Sequence, residues 1–91
     1  MTWTIRYTTS AARDIRRLDP GIRRHIQAAM KTLREDPWRG KLLQMSLRGL
    51  RSWRTGAFRI VYRIQEEQIE ILVVAVGHRR NVYDEIRRKL S

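Results

Sequence analysis

The chain has no cysteine, no long apolar run and few acidic residues, and each shortage argues against certain classes of protein or site. Without cysteine it has neither a disulfide framework nor thiolate chemistry, which suits a cytoplasmic protein. No stretch approaches the roughly 20 apolar residues that a membrane-spanning helix needs. Because the N-terminus also lacks the basic-then-apolar layout of a signal peptide, we expect a cytoplasmic protein that makes no membrane contact.

The sequence also has few of the residues that a metal site, a pair of catalytic carboxylates or a nucleotide site would need. His25 and His78 are the only histidines, and no carboxylate stands near either at ligand spacing. The nine acidic residues fall mostly at predicted helix ends and turns, which leaves no obvious carboxylate pair for hydrolysis. Glycine-rich phosphate loops are absent as well. We therefore expect neither a metal nor a cofactor.

Positive charge is what the chain has in excess. Twenty lysines and arginines against nine acidic residues give a formal net charge of +11, and seventeen of the twenty are arginine. Such a field attracts polyanions, and planar guanidiniums suit bidentate contacts with phosphate. The charge predicts nucleic acid or an acidic protein as the partner.

Hydrophobic patterning in the first half predicts one strand and two helices. Residues 3–8 alternate and are mostly β-branched or aromatic, so we expect a strand there. Ser10 is expected to cap a short helix. Asp19–Pro20 begins a second, longer helix, and Asp36–Pro37 ends it. The two helices are expected to form a hairpin whose apolar stripe lies on a sheet.

The second half predicts three strands and a last helix. After a loop-rich stretch at 38–49, strands are expected over residues 50–55, 58–64 and 69–76. Asn81 is expected to cap the final helix, whose apolar side carries Ile86 and Leu90. The predicted fold class is therefore α+β: a single small domain over 1–91, ordered β-α-α-β-β-β-α, with the helical hairpin on one face of a mostly antiparallel four-stranded sheet.

Strand alternation sorts the second half into two faces. One side of the strand over 58–64 is apolar and is expected to lie under the hairpin: Phe58, Ile60, Tyr62 and Ile64. Arg59 points the other way. If Ser52 and Arg54 share that side, the three residues form a cationic floor on the uncovered face of the sheet. The basic turn after Gly77 would then form a wall beside it.

Five arginines are candidates for phosphate binding. Arg59 is the strongest, because it lies between other cationic elements; its plainer interpretation is a solvated residue on the outer face. Arg54 and Arg51 on the preceding strand carry the same two interpretations. Arg79 and Arg80 directly follow a strand end, where they either bind phosphate or make a charged, solubilising turn.

Two further side chains near the end of the chain can handle protons. His78 is a candidate for proton transfer, because imidazole can accept and donate protons near neutral pH, although a single histidine in a turn is often incidental. Tyr83 would either pack the last helix, stack on a base or move a proton.

These residues resemble a known family. Residues 47–50, followed by 53–56 and 58–62, are similar to a Leu-x-Gly-Leu-x-x-x-Arg-x-Gly-x-Tyr-Arg-Ile-x-Tyr block, and 76–83 is similar to a Val-Gly-(Lys/His)-Arg-x-x-Val-Tyr ending. Both are typical of RelE-type toxins of the RelE/ParE superfamily, the small ribosome-dependent mRNA endonucleases of toxin–antitoxin pairs. The resemblance covers nearly the whole chain, which it identifies as a single RelE-like toxin domain.

The resemblance implies a function and a set of catalytic residues. The function is metal-independent cleavage of mRNA in the ribosomal A site, by attack of the ribose 2′-hydroxyl and with a 2′,3′-cyclic phosphate as product. Carried over to this chain, the catalytic residues are Arg54, Arg59, Arg79 and Tyr83. Ser52 stands where the family often has a lysine, and this departure removes one candidate for the proton-accepting or charge-stabilising role. Arg51, His78 and Arg80 are the residues that would compensate, and with Ser52 they are assigned to RNA binding.

The resemblance also implies partners. They are an acidic, RelB-like antitoxin in a hetero-oligomeric complex, and the ribosome with its mRNA. Two alternatives stay open: a ParE-like toxin that acts on DNA gyrase without cleaving RNA, and an RNA-binding module whose catalytic site has decayed at Ser52.

Overall fold

The protein is built on one twisted sheet with helices on both of its faces. The computed structural model describes residues 2–90, with side chains through Lys89. Its elements are β1 (Thr4–Tyr7), α1 (Thr9–Arg16), α2 (Pro20–Glu35), β2 (Lys41–Leu42), β3 (Arg51–Thr55), β4 (Phe58–Gln65), β5 (Glu70–His78) and α3 (Val82–Leu90). This is the α+β class that the sequence predicts. No helix in the described range is both long and apolar enough to cross a membrane.

The sheet has five strands in the order β1-β5-β4-β3-β2, one more than the four predicted. β1 pairs in parallel with β5, and all other pairs are antiparallel. The additional strand, β2, has only two residues, and both are exposed. It pairs Lys41 with Ser52 and Leu42 with Arg51. Two exposed residues carry no alternation, so no local pattern indicates this strand.

Helix α1 begins two residues earlier than a Ser10 cap would allow. The N-cap is Thr8, whose Oγ1 accepts a hydrogen bond from the Ala11 N–H at 3.1 Å. The Thr8 hydroxyl also donates to the carbonyl of Val74 at 3.3 Å, and Ser10 lies inside the first turn. The prediction of Ser10 as the cap is wrong, because tertiary contact with β5 selects the threonine.

Helix α2 carries the apolar stripe that the sequence predicts. It starts at Pro20 and ends at Glu35, directly before Asp36–Pro37. A buried core forms between this helix, α1 and the sheet: Ala11, Ile26, Ala29, Met30, Leu33, Ile60, Tyr62, Ile71, Val73 and Val76. Phe58 and Ile64 pack against it, so the hairpin covers the face of β4 that alternation assigned to it.

The opposite face of the sheet is not left open. A second buried core lies there: Leu43, Leu47, Leu50, Val61, Ala75, Val82 and Ile86. Helix α3 and the segment 43–50 therefore cover much of the side that was expected to be bare. The bulge that separates Val61, opposite Ala75, from Tyr62, opposite Val73, lets β5 serve both cores. Leu90, predicted on the apolar side of α3, lies outside the described side chains.

Strand β5 also runs beyond its predicted end at Val76. Gly77 pairs with Arg59 and His78 pairs with Phe58, so the strand continues through the glycine. The basic turn therefore begins only at Arg79. A Cβ on Gly77 would lie 3.4 Å from the Cβ of Val82. The start of α3 thus lies against the sheet at Gly77, beside Arg59, at ordinary van der Waals distance.

Tyr62 anchors the segment after α2 to the centre of the sheet. Its hydroxyl donates to the carbonyl of Pro37 at 2.6 Å and accepts from the N–H of Gly40 at 3.1 Å. Burial raises the pKa of Tyr62 to about 12, against smaller opposing effects of the Gly40 hydrogen bond and the Arg51 charge. A Cβ on Gly40 would overlap the phenol, so this glycine is required by close approach.

Candidate active site

The register of β3 and β4 brings the predicted cationic floor together. Arg54 is directly opposite Arg59, and Ser52 is directly opposite Val61. Because opposite residues of an antiparallel pair project on the same side, Ser52, Arg54 and Arg59 share one face. On the other flank of Arg59 lies Gly77, which has no side chain. The floor is therefore a short cross-strand group bordered by α3.

Tyr83 joins the floor from the first turn of α3. Its hydroxyl donates to the Oγ of Ser52 at 2.9 Å, across 31 positions of the chain. Ser52 is only 3% exposed, whereas Tyr83 is half-buried. The contact ties α3 to β3 and leaves part of the phenol ring open to solvent.

Arg59 lies against the ring of Tyr83. Its guanidinium carbon is 5.6 Å from the ring centroid, within the range of a cation–π contact. Its Nε is buried and has no hydrogen-bond partner within residues 2–90. A buried, unpaired donor costs about 1–3 kcal/mol, and more for a charged group. This guanidinium is thus held in place by packing while part of its donor capacity stays unused.

Arg54 is the second arginine of the floor and lies at its exposed edge. Its Nε donates to the carbonyl of Gly56 at 3.1 Å, within its own turn. Like charges directly opposite on neighbouring strands repel each other. In the part of the chain that the structure describes, neither Arg54 nor Arg59 pairs with a carboxylate. An anion between the two guanidiniums would relieve the repulsion.

The residues at the basic turn differ in where they lie relative to the floor. The Arg79 N–H donates to the carbonyl of Ala57 at 2.8 Å, which holds this turn beside the β3–β4 turn at the end of the floor. The exposed Arg80 donates its N–H to Nδ1 of His78 at 3.3 Å. His78 is opposite Phe58 and packs edge-on against its ring, at 5.8 Å between centroids. It therefore lies on the hairpin side of the sheet.

Arg51 is also on the hairpin side, one residue out of phase with Ser52. Its guanidinium donates to the carbonyls of Trp38 at 3.1 Å and Gly40 at 2.8 Å, and lies 5.1 Å from the Trp38 ring centroid. These contacts brace the segment that Tyr62 anchors. Arg51 is thus positioned for structure and does not join the floor.

The eight predicted site residues therefore separate by position. The structure brings together Ser52, Arg54, Arg59 and Tyr83, with the backbone of Arg79 fixed at the end of the floor. Arg51 and His78 face the other way. Sequence reasoning treated Ser52 as a gap and missed its bond to Tyr83, for which no local signal exists. No group of three or more histidine, aspartate or glutamate side chains converges on a possible metal position within residues 2–90.

Comparison with known proteins decides the family. The family model for the ParE toxin of the type II toxin–antitoxin system parDE matches residues 5–83, which is most of the chain. The chain belongs to this toxin family. It is a RelE-type toxin of the RelE/ParE superfamily, as the resemblance predicts, and hence the toxin of a type II toxin–antitoxin system.

Relatives agree with this assignment. Toxin RelG of Mycobacterium tuberculosis is 38% identical over 85 residues, which are 91% of this toxin and 98% of RelG. A putative RelE-like toxin protein of Escherichia coli is 29% identical over 84 residues, covering 87% and 85% of the two chains.

Solved structures show the same fold. A chain of the RelBE2 toxin–antitoxin complex from M. tuberculosis superposes with a TM-score of 0.80 at 37% identity, over 87% of this toxin and 100% of that chain. A mutant of the E. coli toxin RelE in the free state gives a TM-score of 0.77 over all of both chains. At 19% identity, the second match concerns the fold alone.

Proposed function

We propose that this toxin is a metal-independent endoribonuclease that cleaves mRNA in the ribosomal A site and so inhibits translation. The observation that carries the proposal is the state of Arg59, whose guanidinium is packed on Tyr83, with a buried, unpartnered Nε and a second arginine opposite. A floor of unpaired guanidiniums suits the phosphodiester of a polyanion. The relatives named RelG and RelE-like toxin support the same class.

The chemistry follows from what arginine does well. Attack of the ribose 2′-hydroxyl on the adjacent phosphorus forms a pentacoordinate phosphorane, and the 5′-oxygen then leaves to give a 2′,3′-cyclic phosphate. Negative charge grows on the equatorial oxygens, where the guanidiniums of Arg54, Arg59 and Arg79 would stabilise it. Arginine stays protonated and is a poor base, so the proton transfers fall to Tyr83 or to the ribosome.

Dependence on the ribosome follows from the same inventory. With no carboxylate in the floor and no histidine on its side of the sheet, the site lacks a strong general base. Correct orientation of the 2′-hydroxyl by the ribosome would replace much of this missing acceleration. We therefore expect slow cleavage of free RNA and faster cleavage of translated mRNA.

Arg59→Ala tests the proposal, with Arg63→Ala as its matched control. Both arginines lie on β4, but Arg63 is exposed and lies beyond Val61, away from Tyr83. In a purified translation system, primer extension should map breaks within codons for the wild-type toxin. Arg59→Ala should slow cleavage by about 10²- to 10³-fold, as when one preorganised charge-stabilising donor is removed. Arg63→Ala should cleave like the wild type.

The description of the matching family as a ParE toxin favours a second candidate, action on DNA gyrase. Intact mRNA together with DNA damage in arrested cells would support gyrase and contradict the nuclease. Salt-sensitive RNA binding without breaks would indicate the decayed, RNA-binding module.

We further propose an acidic antitoxin as the partner, in a hetero-oligomeric complex. A relative 37% identical to this toxin was solved in a toxin–antitoxin complex. The groove between the edge strand β1 and α2, about 650 Å³ in volume, has an apolar base near Ile5 and Met30 and a rim of Arg24, Lys31 and Arg34. An acidic amphipathic segment matches both features. If a small acidic protein is encoded beside this toxin, its co-expression should yield a stable complex and restore growth; failure of every such protein to bind would contradict the proposed partner.

A further inference from the structure

Ser52 is the point of the site where sequence and structure disagree most. By sequence it is a gap, because it lacks the charge of its neighbours. In the structure it is the only serine, threonine, amide or charged residue among residues 2–90 that is buried. A buried hydroxyl without a hydrogen-bond partner destabilises the folded state. Its partner here is the phenol of Tyr83 at 2.9 Å.

This hydrogen bond has consequences for Tyr83 that packing alone would not have. The ring of Tyr83 packs against the second core, and two directed contacts orient it there, with Ser52 at its hydroxyl and with Arg59 at its face. Ser52 belongs to β3 and Arg59 to β4, and neither strand carries the tyrosine. With the hydroxyl held, the ring keeps one orientation over the guanidinium. Without it, the half-exposed ring would keep only its contacts with the second core and with Arg59, and neither of these fixes the hydroxyl.

We propose that Ser52 is a positioning residue that acts through Tyr83. Its hydroxyl fixes the phenol over Arg59, so the floor is organised before RNA arrives, and no cation is needed at position 52. The inference rests on the proposed function, since it assigns Tyr83 and Arg59 to the cleavage site. Preorganisation of this kind raises the rate of the chemical step and leaves substrate binding nearly unchanged.

A double-mutant cycle of Ser52→Ala and Tyr83→Phe tests this. Both changes remove one oxygen and keep the shape of the side chain. Ser52→Ala should reduce kcat on translating ribosomes by about five-fold, the equivalent of one lost hydrogen bond, with little change in KM. Tyr83→Phe should reduce kcat by at least as much, because it also removes the hydroxyl that is proposed to transfer protons. The double variant should be no slower than Tyr83→Phe alone. Ser52→Thr, which keeps the hydroxyl, should recover most of the lost rate.

A second measurement uses the free toxin. Aromatic carbon-13 relaxation should show an ordered Tyr83 ring in the wild type and in Ser52→Thr, and a mobile ring in Ser52→Ala, with Tyr7 as the internal reference. A merely structural serine would lower the unfolding midpoint without changing the order of this one ring.

The outcomes separate the two proposals. Additive rate losses in the double variant, or an equally ordered ring in Ser52→Ala, would overturn the role of Ser52. If the wild-type toxin cleaves no mRNA, the proposed function fails, and the relaxation measurement still decides whether Ser52 holds Tyr83.

Discussion

Among single residues, Tyr62 shows most directly how burial changes chemistry. It is fully buried under the helical hairpin, yet its phenol makes two hydrogen bonds with the segment after α2. Desolvation is the largest influence on this group and raises its pKa from 10.0 to about 12. The neutral phenol is therefore part of the folded state, because ionisation would place an anion in the core.

This shift predicts a loss of stability at high pH. The folded pKa lies above the unfolded one, so the native state keeps a proton that the unfolded chain loses. The stabilisation of the folded state by this retained proton is fully present below pH 10 and is lost as the pH rises from 10 to about 12. Urea unfolding of the wild type should show about 2 kcal/mol more loss over this interval than Tyr62→Phe, whose other titrating groups are the same. Equal losses in the two proteins would contradict the assignment.

At the scale of elements, the start of α1 shows why local signals name the wrong residue. Thr8 and Ser10 are both good N-cap residues, and the sequence alone favours neither strongly. Thr8 also bonds to the carbonyl of Val74 on β5, and that long-range contact sets the first turn. The helix boundary is thus decided by a strand 66 positions away.

Replacing each hydroxyl residue separately tests this boundary. Thr8→Ala removes the cap of α1 and should lower the free energy of unfolding by about 1 kcal/mol. Ser10→Ala removes a hydroxyl inside the helix, where alanine has the better propensity, and should be neutral or slightly stabilising. Denaturant unfolding monitored by circular dichroism measures both. A larger loss of unfolding free energy for Ser10→Ala than for Thr8→Ala would show that Ser10 is the N-cap.

At the scale of the whole molecule, the lysines and arginines behind the net charge of +11 occur on every α-helix and on every strand except β5. This charge supplies long-range attraction to RNA but does not say where the RNA lies. Within residues 2–90, only the cationic floor combines guanidiniums that no carboxylate pairs with, an aromatic ring and a buried, unpartnered donor.

Salt dependence separates general attraction from contact. Binding of single-stranded RNA should weaken with salt, and removing one phosphate contact should reduce the slope of log K against log salt by about 0.7. Arg54→Ala should show this reduction. Arg6→Ala makes the same change of net charge on β1, at the far side of the sheet and beside Glu70, so its slope should stay that of the wild type. Equal slopes for both variants would place the RNA elsewhere.

Much of the architecture follows from the sequence because its signals are local. The apolar stripe of α2 and the alternation of β4 each repeat within one element, so they identify the core face without a structure. The two-residue strand β2 carries no such repeat, and the apolar repeat of α3 at Val82 and Ile86 does not say which face of the sheet the helix covers. They form because backbone groups and apolar surface of distant segments need partners.

The sequence by itself determined the charge, the order of the main elements and the resemblance of the motifs that contain Arg54, Arg59 and Tyr83. Only the tertiary structure decided that Arg51 and His78 face the hairpin and that Ser52 holds Tyr83. The physical reason is the distance along the chain over which each kind of interaction acts. Periodicity assigns faces within a strand, whereas strand register and the docking of α3 bring together residues that lie 31 positions apart in the chain.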